Sequence, residues 1–282
     1  MFVKNFLHLI RAHNLCIALL CVFISTWLLD KPIDFMFFLC SLIVLISMCL
    51  GYIMNDYLDV KSDKINHPKR PLVNDKIKPH NIRIILFVLL ALLIYASSFI
   101  NIKSIYLLYI IILPGLFFYN LIFKKILFVG NFIISVLLGL VFIFTELVLT
   151  NDIDYLYIPF FLATCFSFVR EIIKDMADYD GDLAVNMKTM PIVFGIGFMK
   201  KFITVLIILL MAILLIPYFL FEHNVKYLIS LILFIEIPLI YSLFLLVKFP
   251  TKKTYKRLTV VFKVLCISGL IVIMFSKIYL YV

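Results

Sequence analysis

Residues 35–71 read FMFFLCSLIVLISMCLGYIMNDYLDVKSDKINHPKRP: a largely apolar run from 35 to 54, then, without a break, a segment dense in carboxylates, amides and basic groups. A helix needs roughly 20 mostly apolar residues to cross a bilayer, so the first half reads as a membrane span. The second half places carboxylates and cations where that span meets water. The first half decides the fold class, and the second asks what charge is doing there.

The rest of the chain extends the first half. Of its 282 residues 65% are hydrophobic and 15% charged, against about a quarter charged in soluble domains, and the mean hydropathy is +1.16. Nine runs of span length follow one another, at about 12–29, 35–54, 83–100, 104–123, 126–149, 155–172, 202–221, 225–247 and 260–282. The expectation is an all-α polytopic membrane protein, nine transmembrane helices around a central cavity, in one domain covering 1–282. Membrane strands would alternate apolar and polar residues over about ten positions. The first run is not followed by a small-x-small cleavage site and a soluble domain, so it reads as a retained helix. Cys16, Cys21, Cys40, Cys49, Cys165 and Cys266 all lie in expected spans without a CxxC pair, and read as small core residues.

A formal charge of +10 raises nucleic acid as a partner, but its placement excludes that reading. Of 26 basic residues, only Lys31, Lys103, Lys226 and Lys277 fall on the odd-numbered connections; the rest lie at the N-terminus and on the even ones. The positive-inside rule then puts the N-terminus and the even connections in the cytoplasm and the C-terminus outside, in an integral protein of a prokaryotic inner membrane. The outward connections (DKPID, NIKS, TNDID, FEHN) are short, whereas two inward ones, 55–82 and 171–201, are long, polar and acidic. The two share an order: Asp59-VKS-Asp63, Asn66, Pro71-Leu-Val in one, Asp178-YDG-Asp182, Asn186, Pro191-Ile-Val in the other. An internal duplication with both acidic loops facing one cavity is the expectation.

On a helix Asn55, Asp59 and Asp63 (i, i+4, i+8) share a face with Asp56 one position round, and Glu171, Asp175, Asp178 and Asp182 repeat the arrangement. Like charges so spaced repel, which calls for a cation. Oxygen-only ligands with no metal-spaced His or Cys suit Mg²⁺, which also takes substrate phosphate oxygens. Arg70, Lys124, Lys174 and Lys188 would donate to a diphosphate. The plainer reading is a pair of solvated loops whose charges end helices; two clusters of the same order on one side argue against it. A cation transporter is a further alternative, although its carboxylates belong near the bilayer midplane, and the D-G-x-x-A-R signature of lipid-alcohol phosphotransferases is absent. Glu236, mid-span and two residues before Pro238, is either functional or protonated and hydrogen-bonded across helices; Glu146, near the outer end of its span, reads as interfacial.

These residues resemble the UbiA-type intramembrane prenyltransferases. N-D-x-x-D-x-x-x-D followed by K/R-R-P is met by Asn55, Asp56, Asp59, Asp63, Arg70 and Pro71, and the second motif by KDMADYDGD with Asp178 and Asp182, trailed by KTMPIVFG. Tyr119-NLIF-Lys124 with Gly130-Asn131 resembles the intervening Y-S-x-x-x-K…G-N segment, with Asn120 where Ser is frequent, and Arg11 and Asn14 fit an RxxN start. The resemblance implies Mg²⁺-dependent transfer of a polyisoprenyl group from its diphosphate to a lipophilic or aromatic acceptor. It implies one metal site at Asn55, Asp59 and Asp63 with Asp56 in support, and another at Asp178 and Asp182 with Asp175 in support. It further implies Arg70, Lys124 and Lys188 on the diphosphate, Asn14 and Asn131 on substrate, and Tyr119 near the reacting carbon. REIIKDMADYDGDLAVNMKT is most similar to the geranylgeranylglycerol-phosphate geranylgeranyltransferase-like branch; an aromatic acceptor, as in quinone biosynthesis, is the runner-up.

Overall fold

A computed structural model describes residues 2–74, 76–220 and 225–274. Among them there are helices and no strand: α1 (Phe2–Leu9), α2 (Ala12–Leu28), α3 (Phe35–Leu58), α4 (Val60–Asn66), α5 (Pro79–Ser97), α6 (Ile102–Leu121), α7 (Val129–Thr150), α8 (Tyr157–Ala184), α9 (Met190–Leu220), α10 (Val225–Lys248) and α11 (Lys252–Met274). The FEHN connection (221–224), Lys277 and the end of the last expected span lie outside the described residues.

Seven of these helices (α3, α5, α6, α7, α9, α10 and α11) are long and apolar enough to cross a membrane. The other two expected spans differ. The first is α2, whose 17 residues are fewer than the roughly 20 a perpendicular crossing takes. The sixth is only the front half of the 28-residue α8, which continues through the acidic stretch to Ala184. The second acidic segment is therefore not a loop. Its Ile172, Ile173, Met176 and Ala177 are buried at helical spacing, so one face keeps packing after the apolar run has ended.

Local chemistry sets the helix ends. Asp34 caps α3 by accepting from the N–H groups of Met36 (3.0 Å) and Phe37 (3.2 Å). Asn101 caps α6 by accepting from Ser104 N–H at 2.9 Å, and its amide donates to the Leu147 carbonyl of α7 at 2.6 Å. The π-helical stretches Leu107–Ile112 and Ile232–Glu236 each end two residues before a proline, Pro114 and Pro238. A proline removes an N–H and crowds the preceding turn, and a widened turn accommodates it. In α9 the chain breaks at Gly195 (φ 79°, ψ 155°), a conformation that a side chain would strain.

The helices close on themselves: α2 packs on α3, α7 and α11, while α8 packs on α7, α9 and α11. One core joins α8, α9, α10 and α11 through residues such as Ile173, Ile203, Leu239 and Phe262; another joins α2, α3, α5, α6 and α7 through Val22, Ile43, Leu93, Leu108 and Phe144. The outer faces carry exposed Phe38, Phe87, Ile110, Phe234 and Val264, an apolar belt far beyond what a soluble surface leaves bare. The chain is an integral membrane protein.

Two intramembrane acids depart from expectation. Glu146 is not interfacial: it is fully buried (0% exposed), and its carboxylate accepts from the backbone N–H of Asp154 (2.8 Å), Tyr155 (2.7 Å) and Leu156 (2.9 Å). It anchors the connection before α8, whose first N–H groups need acceptors. Glu236 is buried, yet its Oε1 has no hydrogen-bond partner among the described residues, so the expected cross-helix bond is missing at that atom; the Tyr227 hydroxyl donates to the Leu214 carbonyl at 2.8 Å. Replacing Glu146 with Ala strands three donors, each bonded to a charged group worth about 1.5–3 kcal/mol. Glu146→Ala should lower the thermal midpoint in detergent sharply, with Glu146→Gln in between; wild-type melting of the Ala variant would refute the anchor.

Candidate active site

The first motif straddles a break between helices. Asn55 and Asp56 occupy the last turn of α3, and Asp59 (φ −96°, ψ 10°) closes that helix and opens α4. Breaking there, rather than running straight on, folds α4 back and brings the HPKRP turn round to the end of α3. Asp56, 2% exposed, accepts from Arg11 Nη2 at 2.5 Å and from Arg70 Nη1 at 3.0 Å. Arg70 also pairs with buried Asp63, and Lys124 with Asp59. Asn55 sits at the hub: its Nδ2 donates to Asp59 Oδ2 (2.9 Å) and Asn120 Oδ1 (3.1 Å), and its Oδ1 accepts from Arg11 Nη2 at 3.1 Å. Burial pushes the Asp63 carboxyl up to about 6, with Arg70 opposing and Asp56 adding to the rise.

The second motif lies on one continuous face of α8. Glu171 accepts from Arg170 Nη1 (2.9 Å) and Lys174 Nζ (3.0 Å), and Asp175 from Asn131 Nδ2 of α7 at 2.8 Å. Asp178 Oδ1 lies 3.3 Å from His67 Nε2. Asp182, 8% exposed, makes no ion pair among the described residues. Burial, then its neighbours Asp175 and Asp178, push its carboxyl up to about 8 against the pull of Lys174, and burial takes Asp175 to about 7. Asp178 is different: although burial acts to raise it, the His67 hydrogen bond and Lys174 hold it below the usual range.

The two motifs are stitched together by an amide and a glycine. Asn66 of α4 donates from Nδ2 to the Asp178 carbonyl (2.8 Å) and accepts from Gly181 N–H at Oδ1 (3.1 Å). A Cβ on Gly181 would lie 2.2 Å from Asn66 Nδ2, so the approach exists only because DYDGD has no side chain there. The expected duplication does not extend to this geometry. Asn186, counterpart of Asn66 in sequence, is an exposed residue at φ 55° beyond the end of α8.

Behind this polar front lies a cavity of about 830 Å³. Asn14, Asn55, Asp56, Arg70, Tyr119 and Asp178 line its polar end, while Val44, Leu108, Leu138, Val141 and Phe144 line the rest. Asp59, Asp63, Lys124, Asn131, Asp175 and Asp182 are not in the lining: Asp59 and Asp63 partner Asn55 and Arg70, which are, Asp175 and Asp182 neighbour Asp178, and Lys124 and Asn131 pair in turn with Asp59 and Asp175. Lys188 is brought to neither: it is exposed on the connection between α8 and α9. Such a chamber suits an amphiphile with an anionic head and a hydrocarbon tail.

The sequence profile of the UbiA prenyltransferase family matches residues 17–267. The chain belongs to the UbiA prenyltransferase family. A digeranylgeranylglyceryl phosphate synthase of Sulfurisphaera tokodaii is 34% identical over 255 residues, covering 85% of this chain and 87% of that protein. A solved structure of a digeranylgeranylglyceryl phosphate synthase superposes with a TM-score of 0.73 at 30% identity over 98% of both chains. The fold is also that of a UbiA homologue from Archaeoglobus fulgidus, solved bound to GPP and Mg²⁺, with a TM-score of 0.64 at 16% identity over 95% of this chain and 99% of that one.

The candidate site contains three contacts that the motifs alone did not show: His67 with Asp178, the Asn66–Gly181 bridge and Asn55 with Asn120. The signal for Asn120 was present as a departure from the familiar Ser: its longer amide accepts from Asn55 through Oδ1 and donates to the Leu116 carbonyl at 2.9 Å through Nδ2. Gly181→Ala should cost about 1–3 kcal/mol by overpacking and depress activity at least tenfold, and Asn66→Ala should do likewise. If the two residues act through their contact, the double variant loses less stability than the sum of the singles; strict additivity would refute the bridge.

Proposed function

We propose that this UbiA-family prenyltransferase moves a polyprenyl group, geranylgeranyl by preference, from its diphosphate to a glycerol-phosphate lipid, with Mg²⁺ as cofactor. The observation that carries the reading is the stitching of two acidic motifs at the polar mouth of a deep apolar cavity. The acceptor class follows the names of the relatives, and Mg²⁺ the A. fulgidus homologue.

In the net reaction the allylic C–O bond of the prenyl diphosphate breaks, its electron pair leaving with diphosphate. The acceptor hydroxyl oxygen forms the new C–O bond, giving an ether, diphosphate and a proton. The donor set fits a hard divalent ion: oxygen ligands only, with the carboxyls of Asp175 and Asp182 raised by burial and then by their acidic neighbours. Among the described residues no ready-made group of three or more His, Cys, Asp or Glu ligands occurs. In this reading Asn55, Asp59 and Asp63, supported by Asp56, hold one ion, and Asp178 and Asp182, supported by Asp175, hold the other. When bound, Mg²⁺ supplies charge neutralisation to the leaving diphosphate.

Arg70 and Lys124, now on carboxylates, stand where they can turn to diphosphate oxygens, and charge-assisted donors are the strong ones. Arg11 and Asn120 fix which way the Asn55 amide faces. Tyr119, half-buried in the cavity wall, stands close to the second motif, and Asn14, bonded to the Tyr52 hydroxyl at 3.1 Å, and Asn131 position the site's edges. The apolar wall keeps water from the electron-poor allylic carbon. The distribution of Lys and Arg supports placing the N-terminus and this site in the cytoplasm of a prokaryotic cell and the C-terminus outside.

The test is product mass spectrometry with purified protein, geranylgeranyl diphosphate and an acceptor panel. Geranylgeranylglyceryl phosphate should be prenylated with Mg²⁺ and not with EDTA, and Asp59→Ala and Asp178→Ala should each lower kcat by about 10²-fold or more. Full turnover in either variant would overturn the site, and prenylation of 4-hydroxybenzoate alone would overturn the acceptor.

A further inference from the structure

The cavity has a further charged pole, on α11, a helix that carries neither acidic motif. Arg11, His67, Arg70, Arg170 and Lys174, all in its lining, each have a carboxylate partner. Lys69, on the turn after α4, and Lys256 and Lys263 of α11 line it too and make no ion pair among the described residues; only the two on α11 lie together on one element. They lie at i and i+7, with Thr259 between them at i+3, so one helix face presents all three to the chamber. The Lys263 amine is 2.8 Å from His13 Nε2 of α2. Arg170, Arg11 and Lys174 repel its charge, and Glu171 attracts it. Cations gathered in a partly desolvated place repel one another and call for an anion.

This pole also marks a fork. Asn14, Met48, Tyr52, Arg170 and Lys263 border both the main cavity and a second chamber of about 140 Å³ enclosed by α2, α7, α8, α9, α10 and α11. Past Lys263 the walls of that chamber are apolar, including Phe142, Leu162, Phe166, Leu231 and Leu270. An anionic head at Lys263 would have an apolar path beside it and, in the main cavity, Asn55, Asp56 and Asp178 of the acidic motifs.

We propose that Lys263 and Lys256, with Arg170 and His13, form the binding site for the phosphate of the acceptor lipid, and that the second chamber receives the start of its hydrocarbon chain. This rests on the acceptor reading above. The two substrates then share the main cavity, the diphosphate at the paired acids and the phosphomonoester at the lysines, and the few atoms of the glycerol unit carry the reacting hydroxyl between them. The chamber is too small for a whole C20 chain, so the rest of that chain lies outside it.

Steady-state kinetics on the full-length protein, with geranylgeranyl diphosphate and geranylgeranylglyceryl phosphate as probes, tests the site. Lys263→Met should raise the acceptor KM about tenfold or more and leave the diphosphate KM and the Mg²⁺ activation midpoint unchanged. Lys256→Gln should raise it about threefold, and Lys263→Arg should restore it. Inorganic phosphate should inhibit competitively with acceptor, and less well in Lys256→Gln. Gly269→Leu, which projects into the second chamber, should weaken the C20 acceptor more than a C5 analogue. An unchanged acceptor KM, or an equal rise in both substrates' KM, overturns the site while the reaction stands. A wild type that prenylates an aromatic acid alone overturns the acceptor reading and this site with it. If Lys263→Met does not fold, the Lys256→Gln acceptor KM decides the matter.

Discussion

The arrangement of the site depends on one side chain meeting one missing side chain. Asn66 reaches across from α4 to the α8 backbone at Asp178 and Gly181, and this contact holds the two acidic stretches, more than a hundred residues apart, at one end of one cavity. An amide suits the task because it donates and accepts at once, satisfying a carbonyl and an N–H with a single group. Gly181 suits it because any side chain would fill the space. Much else in the site follows: His67, next in sequence, comes within reach of Asp178, and the turn that starts there returns Arg70 to Asp56 and Asp63.

A good part of this could be read from sequence and a specific part could not. The apolar runs located the spans, because lipid leaves backbone polar groups no partner but their own helix, and the acid spacing picked out the carboxylates. Where the apolar run stopped, however, the helix did not. From Glu171 to Asp182 hydropathy falls while helical periodicity persists in Ile172, Ile173, Met176 and Ala177, so a window that averages over both faces ends α8 too early. Asp59 shows the opposite: i, i+4, i+8 spacing suggested one continuous helix, and the chain breaks at the middle residue. Glu146 was misplaced because its three acceptor bonds are to a connection, which leaves no periodic mark. Lys188 sits in a motif-like position without the fold bringing it inward.

Alike in sequence, the two motifs differ in how their charge is balanced. The first has Asp56, Asp59 and Asp63 against Arg11, Arg70 and Lys124, each acid in an ion pair. The second uses Arg170 and Lys174 on Glu171 and His67 on Asp178, which leaves Asp175 with a neutral amide and Asp182 pushed up to about 8 by burial and its acidic neighbours. In the proposed function the two motifs would therefore hold a divalent ion on different terms. Asp178 and Asp182, with Asp175, would hold it where acidic neighbours already crowd one another, whereas Asn55, Asp59 and Asp63 would hold it on carboxylates that Arg70 and Lys124 share. The ion would supply positive charge to those carboxylates, and the same Arg70 and Lys124 donors could then serve diphosphate oxygens, so that cation and diphosphate would favour one another at the first motif.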